Sequence, residues 1–405
     1  MTPSLRILAG LVAGLVAGTA LGSGGAGRVA GAVAQPIGRL WLDALTMTVV
    51  PLVFALLVTG VMGAARQASG GRVAARAMLW FALLLLAAAG LAAIVTALVL
   101  DISPVPRAAA ALRTTAGAAV AVPDAGDWLG NIVPTNPIRA AADTAMVPLV
   151  VFALLFGLAA SGIEAEGRGV IERLFAAVGQ AMLRIVHWVL WIAPVGVFAL
   201  ALGVGIRMGG SAAGVLAHYV ATIMIACLAA MLLAYAAAVV AGRMAPLAFA
   251  KAVLPAQVIA VSTQSSLASL PAMVQAARPI GIAPATAGIV LPLAVSLFRA
   301  ASAAANMGVA VYLAHVHGVA VGPVTLAIGA VVAAAVSVAA VGLPAQVSFF
   351  AIIAPVCLAM GVPVTLLPLL LAIETLPDIF RTLGNVTADL AVARIVGRGD
   401  ATVAM

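Results

Sequence analysis

The chain has 405 residues, of which 65% are hydrophobic and only 8% charged, with a mean hydropathy of +1.25. A soluble domain carries about a quarter charged residues, so this composition excludes a single water-soluble core and points to a polytopic membrane protein. The net charge is +8, but the basic residues are scattered and offer no clustered face to a nucleic acid; Cys227 and Cys357 lie in apolar runs and give neither a disulfide framework nor a metal spacing.

The N-terminal run LRILAGLVAGLVAGTALGS, from Leu5, reads as a retained first membrane helix rather than a signal peptide, because many spans follow it. Gly10, Gly14, Gly18 and Gly22 recur at every fourth position, a spacing that lets another helix approach closely. Crossing the hydrocarbon core takes about 20 apolar residues. Segments of that kind lie near 5–23, 41–64, 77–100, 144–162, 181–205, 213–241, 283–314 and 364–396. Two further regions, 245–280 and 320–360, are apolar but interrupted.

Arginine placement orients these spans. Arg66, Arg72 and Arg76 fall in one connection, Arg168 and Arg173 in another, Arg243 and Lys251 after 241, and Arg394 and Arg398 at the C-terminus. These connections read as cytoplasmic. The 101–141 connection sets Arg107, Arg113 and Arg139 against Asp101, Asp124 and Asp127, and reads as the outer side. Alternation then puts both termini in the cytoplasm of an inner-membrane, multi-pass protein. The stretch with Arg28 and Arg39 fits this orientation less well.

The first interruption, VSTQSSLASLP from Val261, gathers Ser262, Thr263, Gln264, Ser265 and Ser266. The second, VGLPAQ from Val341, contains the helix breakers Gly342 and Pro344. Backbone freed from a helix at membrane depth must line a cavity or be buried in protein. Each broken segment is followed by one long helix, so the C-terminal half reads as two copies of a re-entrant hairpin and a helix, the pattern of a secondary transporter with inverted repeats. Half-helix tips there offer N–H groups and positive dipole ends to an anion.

The last apolar segment carries Glu374, Asp378, Arg381, Asn385 and Asp389, spaced 4, 3, 4 and 4. On a helix they form one polar stripe. Charges inside a membrane are costly and mark a ligand or ion pathway, although an internal Asp378–Arg381 pair is the bland alternative. Arg381 can hold a carboxylate through two parallel bonds, Asp378 an ammonium group, Asn385 a second carboxylate, and Asp389 a cation or a proton. His187, His218, His315 and His317 have no catalytic partner in the sequence, which disfavours an intramembrane enzyme. No catalytic residue or metal site is assigned.

DIFRTLGNVTADL, from Asp378, resembles the last helix of the dicarboxylate/amino acid:cation symporters, the glutamate and aspartate transporter family. STQSSLASLP and VGLP resemble that family's two hairpin tips. MTVVPLVFALLVTG from Met47, NIVPTNPI from Asn131, VVFALLFGLA from Val150 and APVGVFAL from Ala193 are similar to its other helices. The resemblance implies an all-α elevator-type fold of eight membrane helices and two re-entrant hairpins, assembled as a homotrimer in the lipid bilayer. It implies scaffold helices in 1–70 and 131–210 and a transport domain in 71–100 and 211–399. Arg381 would bind a substrate carboxylate, Asp378 an amino group, and Thr382 and Asn385 its other polar groups, with Ser265 and Ser266 at the first tip. Asp389 and Asn385 would serve ion coupling. No cofactor is implied beyond a sodium ion or a proton as coupling ion.

The chain departs from the family where an Asn-Met-Asp-Gly-Thr motif of the seventh helix binds sodium. Counted from Leu291-Pro292-Leu293, those positions are Phe298, Arg299, Ala300, Ala301 and Ser302, and Asn306-Met307-Gly308 is out of register. Adjacent hydroxyls of the third helix are replaced by Leu84 and Leu85. Arg299 enters there with three readings open: a stand-in for a cation beside Asp389 or Asp378, a second anion clamp beside Arg381, or a pairing that only restores local neutrality; Ser302 joins the substrate residues. The second tip also has fewer glycines, and Val347 adds bulk. The expected function is symport of acidic amino acids or dicarboxylates with altered or reduced sodium coupling. The alternatives are a carrier of cystine or neutral amino acids, and an anion channel.

Overall fold

The computed structural model describes residues 3–68, 71–112, 133–339 and 345–398. Among them every regular element is helical. Val341 to Pro344 of the second tip, and Arg113, Asp124, Asp127, Asn131 and Ile132, lie outside the described residues. Six helical stretches are long and apolar enough to cross a membrane: Gly25–Gln67, Arg72–Ile102, Ala165–Trp191, Ser211–Val240, Pro246–Thr263 and Pro284–His317. Such a chain can satisfy its backbone in lipid only through helices of this kind.

The first set of helices is α1 (Pro3–Leu21), α2 (Gly25–Thr46), α3 (Val49–Ala68), α6 (Met146–Ser161), α7 (Ala165–Trp191) and α8 (Ala193–Met208). Between α3 and α6 come α4 (Arg72–Ile102), a 3₁₀ turn (Arg107–Leu112) and the short α5 (Pro137–Ala142). α1 lies along α8. A Cβ built on Gly10, Gly14 or Gly18 would sit 2.5, 2.5 or 2.3 Å from the carbonyl oxygens of Pro194, Phe198 and Leu202, so only glycine permits this approach. Gly22 does not share the seam. A Cβ built on it would meet nothing within 4 Å, and it ends α1 with φ +57°, a turn role that its spacing did not reveal. Trp41 of α2 donates to the Val189 carbonyl at 2.9 Å and fills the space over Gly196. Phe54, Phe152, Phe156 and Phe175 join α3, α6 and α7 with ring centroids 5.4–6.1 Å apart.

The expected single span 181–205 is two helices, broken at Ile192. Pro194 lies in the first turn of α8, where its missing N–H is harmless, whereas it would interrupt a continuous helix. The preceding helix reaches back to Ala165, across the expected 161–182 connection, and Glu172 on it pairs with Arg66 at 2.8 Å.

The second set comprises α4 with α9 (Ser211–Val240), α10 (Pro246–Thr263), α11 (Ser266–Ala277), α12 (Pro284–Leu297), α13 (Ala300–His317) and α17 (Thr375–Val396). α14 (Pro323–Ala339), α15 (Ala345–Ala359) and the short α16 (Leu367–Leu371) lie between α13 and α17 in the chain, and α14 and α15 also pack on α3. α10 and α11 pack against each other as a hairpin, as the polar tip sequence predicts. The turn is Gln264 in the left-handed region, with φ 52° and ψ 34°. Gln257 of α10 donates to Thr387 of α17 at 2.9 Å and ties the hairpin to the last helix. The expected span 283–314 is interrupted at Phe298 and Arg299, both in non-helical conformations. α13 and α17 are the most enclosed helices, so whatever charges they carry are held away from water.

Candidate functional site

The stripe on α17 is real, and it is buried. Glu374 occupies the position preceding the helix, and Glu374, Asp378, Arg381, Asn385 and Asp389 expose only 2%, 6%, 6%, 4% and 0% of their surface. Arg381 Nη2 donates to Glu374 Oε1. Arg381 Nη1 lies 3.5 Å from Asp378 Oδ1. From α9, the Tyr219 hydroxyl donates to Glu374 Oε2 at 3.2 Å. The guanidinium thus faces two carboxylates, and its Nε has no hydrogen-bond partner among the described residues. Thr382 is buried beside it on the next position of the helix.

One turn further, the site is built around the start of α13. A helix that begins inside the bundle leaves its first N–H groups without intrahelical acceptors. Asn385 Oδ1 accepts from the Ala301 N–H at 2.9 Å and the Ser302 N–H at 3.2 Å, while its Nδ2 donates to Ser302 Oγ at 3.0 Å. Asn385 therefore caps α13 from another helix, in the place of Arg299, which makes no side-chain cap. Gly384 permits this proximity, since a Cβ there would lie 2.6 Å from Ala301 Cβ. Asn385 and Ser302, both expected to face a ligand, are engaged with each other.

Asp389 is fully buried, and neither carboxylate oxygen has a hydrogen-bond partner among the described residues. Arg299 lies within electrostatic reach of both Asp389 and Asp378, and its Nε is likewise unpaired. Beside it, Phe298 stacks on Phe81 of α4 with centroids 4.7 Å apart and planes inclined by 11°. Leu84 and Leu85 are buried on the same helix. The Phe298 side of the break is therefore packed against the aromatic surface of α4.

At the hairpin tip, Ser265 Oγ accepts from the Ala268 N–H at 3.2 Å and caps α11. Ser262 and Thr263 donate back to carbonyls of their own helix. Ser266 is buried. No hydrogen bond joins Ser265 or Ser266 to Arg381 or Asp378 among the described residues, although α11 packs on α17. The sequence reading overlooked Tyr219 and gave Glu374 no role of its own. It also left His218 unpartnered, but His218 Nδ1 lies 3.2 Å from the Tyr312 hydroxyl and Nε2 lies 3.0 Å from the Ser103 carbonyl. The available signal was the tyrosines themselves: a tyrosine inside an apolar helix needs a partner for its hydroxyl.

A bundle of apolar helices around a buried charged stripe has the character of a polytopic membrane protein. Residues 4–398 match the sodium:dicarboxylate symporter family, and the chain belongs to that family. It is 28% identical over 267 residues to the C4-dicarboxylate transport protein of Azorhizobium caulinodans, covering 64% of this chain and 58% of that protein. It is 26% identical to the proton/glutamate-aspartate symporter of Escherichia coli, covering 89% of this chain and 84% of that protein. With the proton/sodium-glutamate symport protein of Bacillus subtilis it shares 25% identity, covering 90% and 85% respectively. The family's members are transporters, which bears out the expectation that this is not an enzyme.

Proposed function

We propose that the chain is a symporter of acidic amino acids or C4-dicarboxylates in the inner membrane, with reduced sodium coupling. The observation that carries the substrate class is Arg381, a buried guanidinium with Asp378 beside it and Thr382 buried at the next position of the helix. Arg381 takes a substrate carboxylate, Asp378 the amino group where there is one, and Thr382 a further polar atom. Ser265 and Ser266 close the site from the hairpin tip. Asn385 and Ser302 act by holding the start of α13 in place, and Asp389 serves coupling. The names of the relatives, which concern C4-dicarboxylates, glutamate and aspartate, support the same ligand class.

Reduced sodium coupling is supported by the Phe298–Phe81 stack and by Leu84 and Leu85, which bring no side-chain oxygen to the helix break. Arg299, in reach of Asp389 and Asp378, supplies a fixed positive charge there. In this reading segments 71–100 and 211–399 carry the site across the bilayer against the remaining helices, three copies assemble, and both termini are cytoplasmic. Purified protein in liposomes tests the proposal. Aspartate or succinate uptake should persist when sodium is replaced by potassium on both sides. Dependence on several sodium ions per turnover would refute the coupling, and failure to bind any acidic amino acid or dicarboxylate would refute the substrate class.

A further inference from the structure

Arg381 meets a carboxylate of its own chain before it meets a substrate. Glu374 holds one amino group of the guanidinium through Oε1, and its other oxygen accepts from Tyr219 at 3.2 Å. The ionisable groups near Glu374 are Arg381 and Asp378 on its own helix and Tyr219 and the buried Cys227 on α9, with Tyr312 of α13 edge-on to Tyr219 at 5.3 Å. The preceding α16 contributes buried apolar residues.

Charge counting constrains what can enter. Glu374, Asp378 and Asp389 are enclosed with Arg381 and the half-buried Arg299, three acids against two guanidinium groups. An acidic amino acid adds one further net negative charge and a dicarboxylate adds two. Uncompensated charge of this size is not sustained away from water. A substrate carboxylate that takes two parallel bonds from Arg381 also needs an edge of the guanidinium, and one edge is held by Glu374. The displaced Glu374 stays buried beside Tyr219.

We infer that Glu374 is a tethered stand-in for the substrate carboxylate: it occupies Arg381 in the empty carrier and takes up a proton when substrate replaces it. This rests on the substrate reading given under Proposed function. The proton comes from water at the loading side and binds a Glu374 oxygen, forming a neutral carboxylic acid, and no other bond is made or broken. When substrate leaves, the proton returns to water at the opposite side and Glu374 closes again on Arg381. One proton thereby travels with each substrate.

The test uses liposomes with a trapped pH dye. In the wild type, an outward-acid gradient should concentrate aspartate or succinate inside, and substrate entry should acidify the lumen. Glu374→Gln cannot carry the proton, so gradient-driven accumulation should fall to simple equilibration and the acidification should vanish, with exchange of labelled for unlabelled substrate followed separately. Should that variant lose exchange as well, Glu374→Asp decides the matter: its carboxylate still titrates, so a retained pH response supports the assignment and a lost one overturns it. Substrate entry without acidification in the wild type overturns it, as does a Glu374→Gln protein that still concentrates substrate on a pH gradient. A wild type that neither takes up nor exchanges any acidic substrate refutes the underlying substrate reading instead.

Discussion

Replacing Arg381 by alanine removes the cation that both Glu374 and Asp378 contact. At the 3.5 Å separation of Arg381 and Asp378, and an effective dielectric of about 20, their attraction alone is about 5 kcal/mol before desolvation is counted. Deleting one partner of a buried pair costs about 3–5 kcal/mol, because the other charge is left stranded. Here two carboxylates are stranded, so Arg381→Ala should lose stability at the upper end of that range. Adding Glu374→Gln to Arg381→Ala removes one stranded charge and should recover roughly half of the loss. Glu374→Gln alone leaves Arg381 with Asp378 and should lose only about 1–3 kcal/mol. Thermal unfolding in detergent should therefore rank wild type, Glu374→Gln, the double variant and Arg381→Ala in falling order. Aspartate or succinate at about 100 times its Kd should stabilise the wild type by about 2.7 kcal/mol and Arg381→Ala not at all. An Arg381→Ala protein as stable as wild type, or a double variant weaker than Arg381→Ala, would refute the charge pairing; undiminished ligand stabilisation in Arg381→Ala would refute the binding role.

Three further substitutions test the framework around the site. Gly14→Val should lower the thermal midpoint through a clash with the Phe198 carbonyl, costing about 1–3 kcal/mol, whereas Gly24→Ala, with open space around it, should stay within about 0.5 kcal/mol of wild type. Asn385→Ala strands the Ala301 and Ser302 N–H groups, at about 1–3 kcal/mol each, and should reduce uptake together with stability; Asn385→Asp keeps the acceptor oxygen but buries a further carboxylate and loses the donation to Ser302, and should recover neither. Gln264→Gly should be tolerated or slightly stabilising, because glycine adopts the left-handed turn without the roughly 1–2 kcal/mol strain of an L-residue, whereas Gln264→Val should weaken the hairpin in the same unfolding assay.

Much of the architecture could be read from composition and period, because lipid leaves the backbone few alternatives. Spans such as 144–162 and 213–241 fall on α6 and α9 within a few residues. The hairpin around Gln264 was legible for a related reason: five polar side chains inside apolar flanks have no place in a continuous span. What pattern could not show was the division of one apolar run into two helices. The 181–205 segment breaks at Ile192 because of Pro194, and 283–314 breaks at Phe298 and Arg299. Apolarity is the same on both sides of such a break, so hydropathy passes over it. The glycine run shows the same limit, since spacing cannot distinguish Gly18, pressed on the Leu202 carbonyl, from Gly22, which ends a helix.

At the site, spacing established that five polar residues share a face of α17, but it treats the three acids alike. They differ in what each meets across the bundle. Glu374 meets Arg381 and Tyr219, Asp378 meets another nitrogen of the same guanidinium, and Asp389 meets no hydrogen-bond donor among the described residues but lies in the field of Arg299. Asn385, between them, belongs to α13 as much as to its own helix. On the proposed substrate reading, the acid that Arg381 already holds is the one a substrate carboxylate would displace, and the acid beside Arg299 already has a fixed cation in reach. Under the proposal that Arg381 takes the substrate carboxylate, a carrier arranged in this way needs a mobile positive charge beside Glu374 more than beside Asp389, and a proton on Glu374 would supply it.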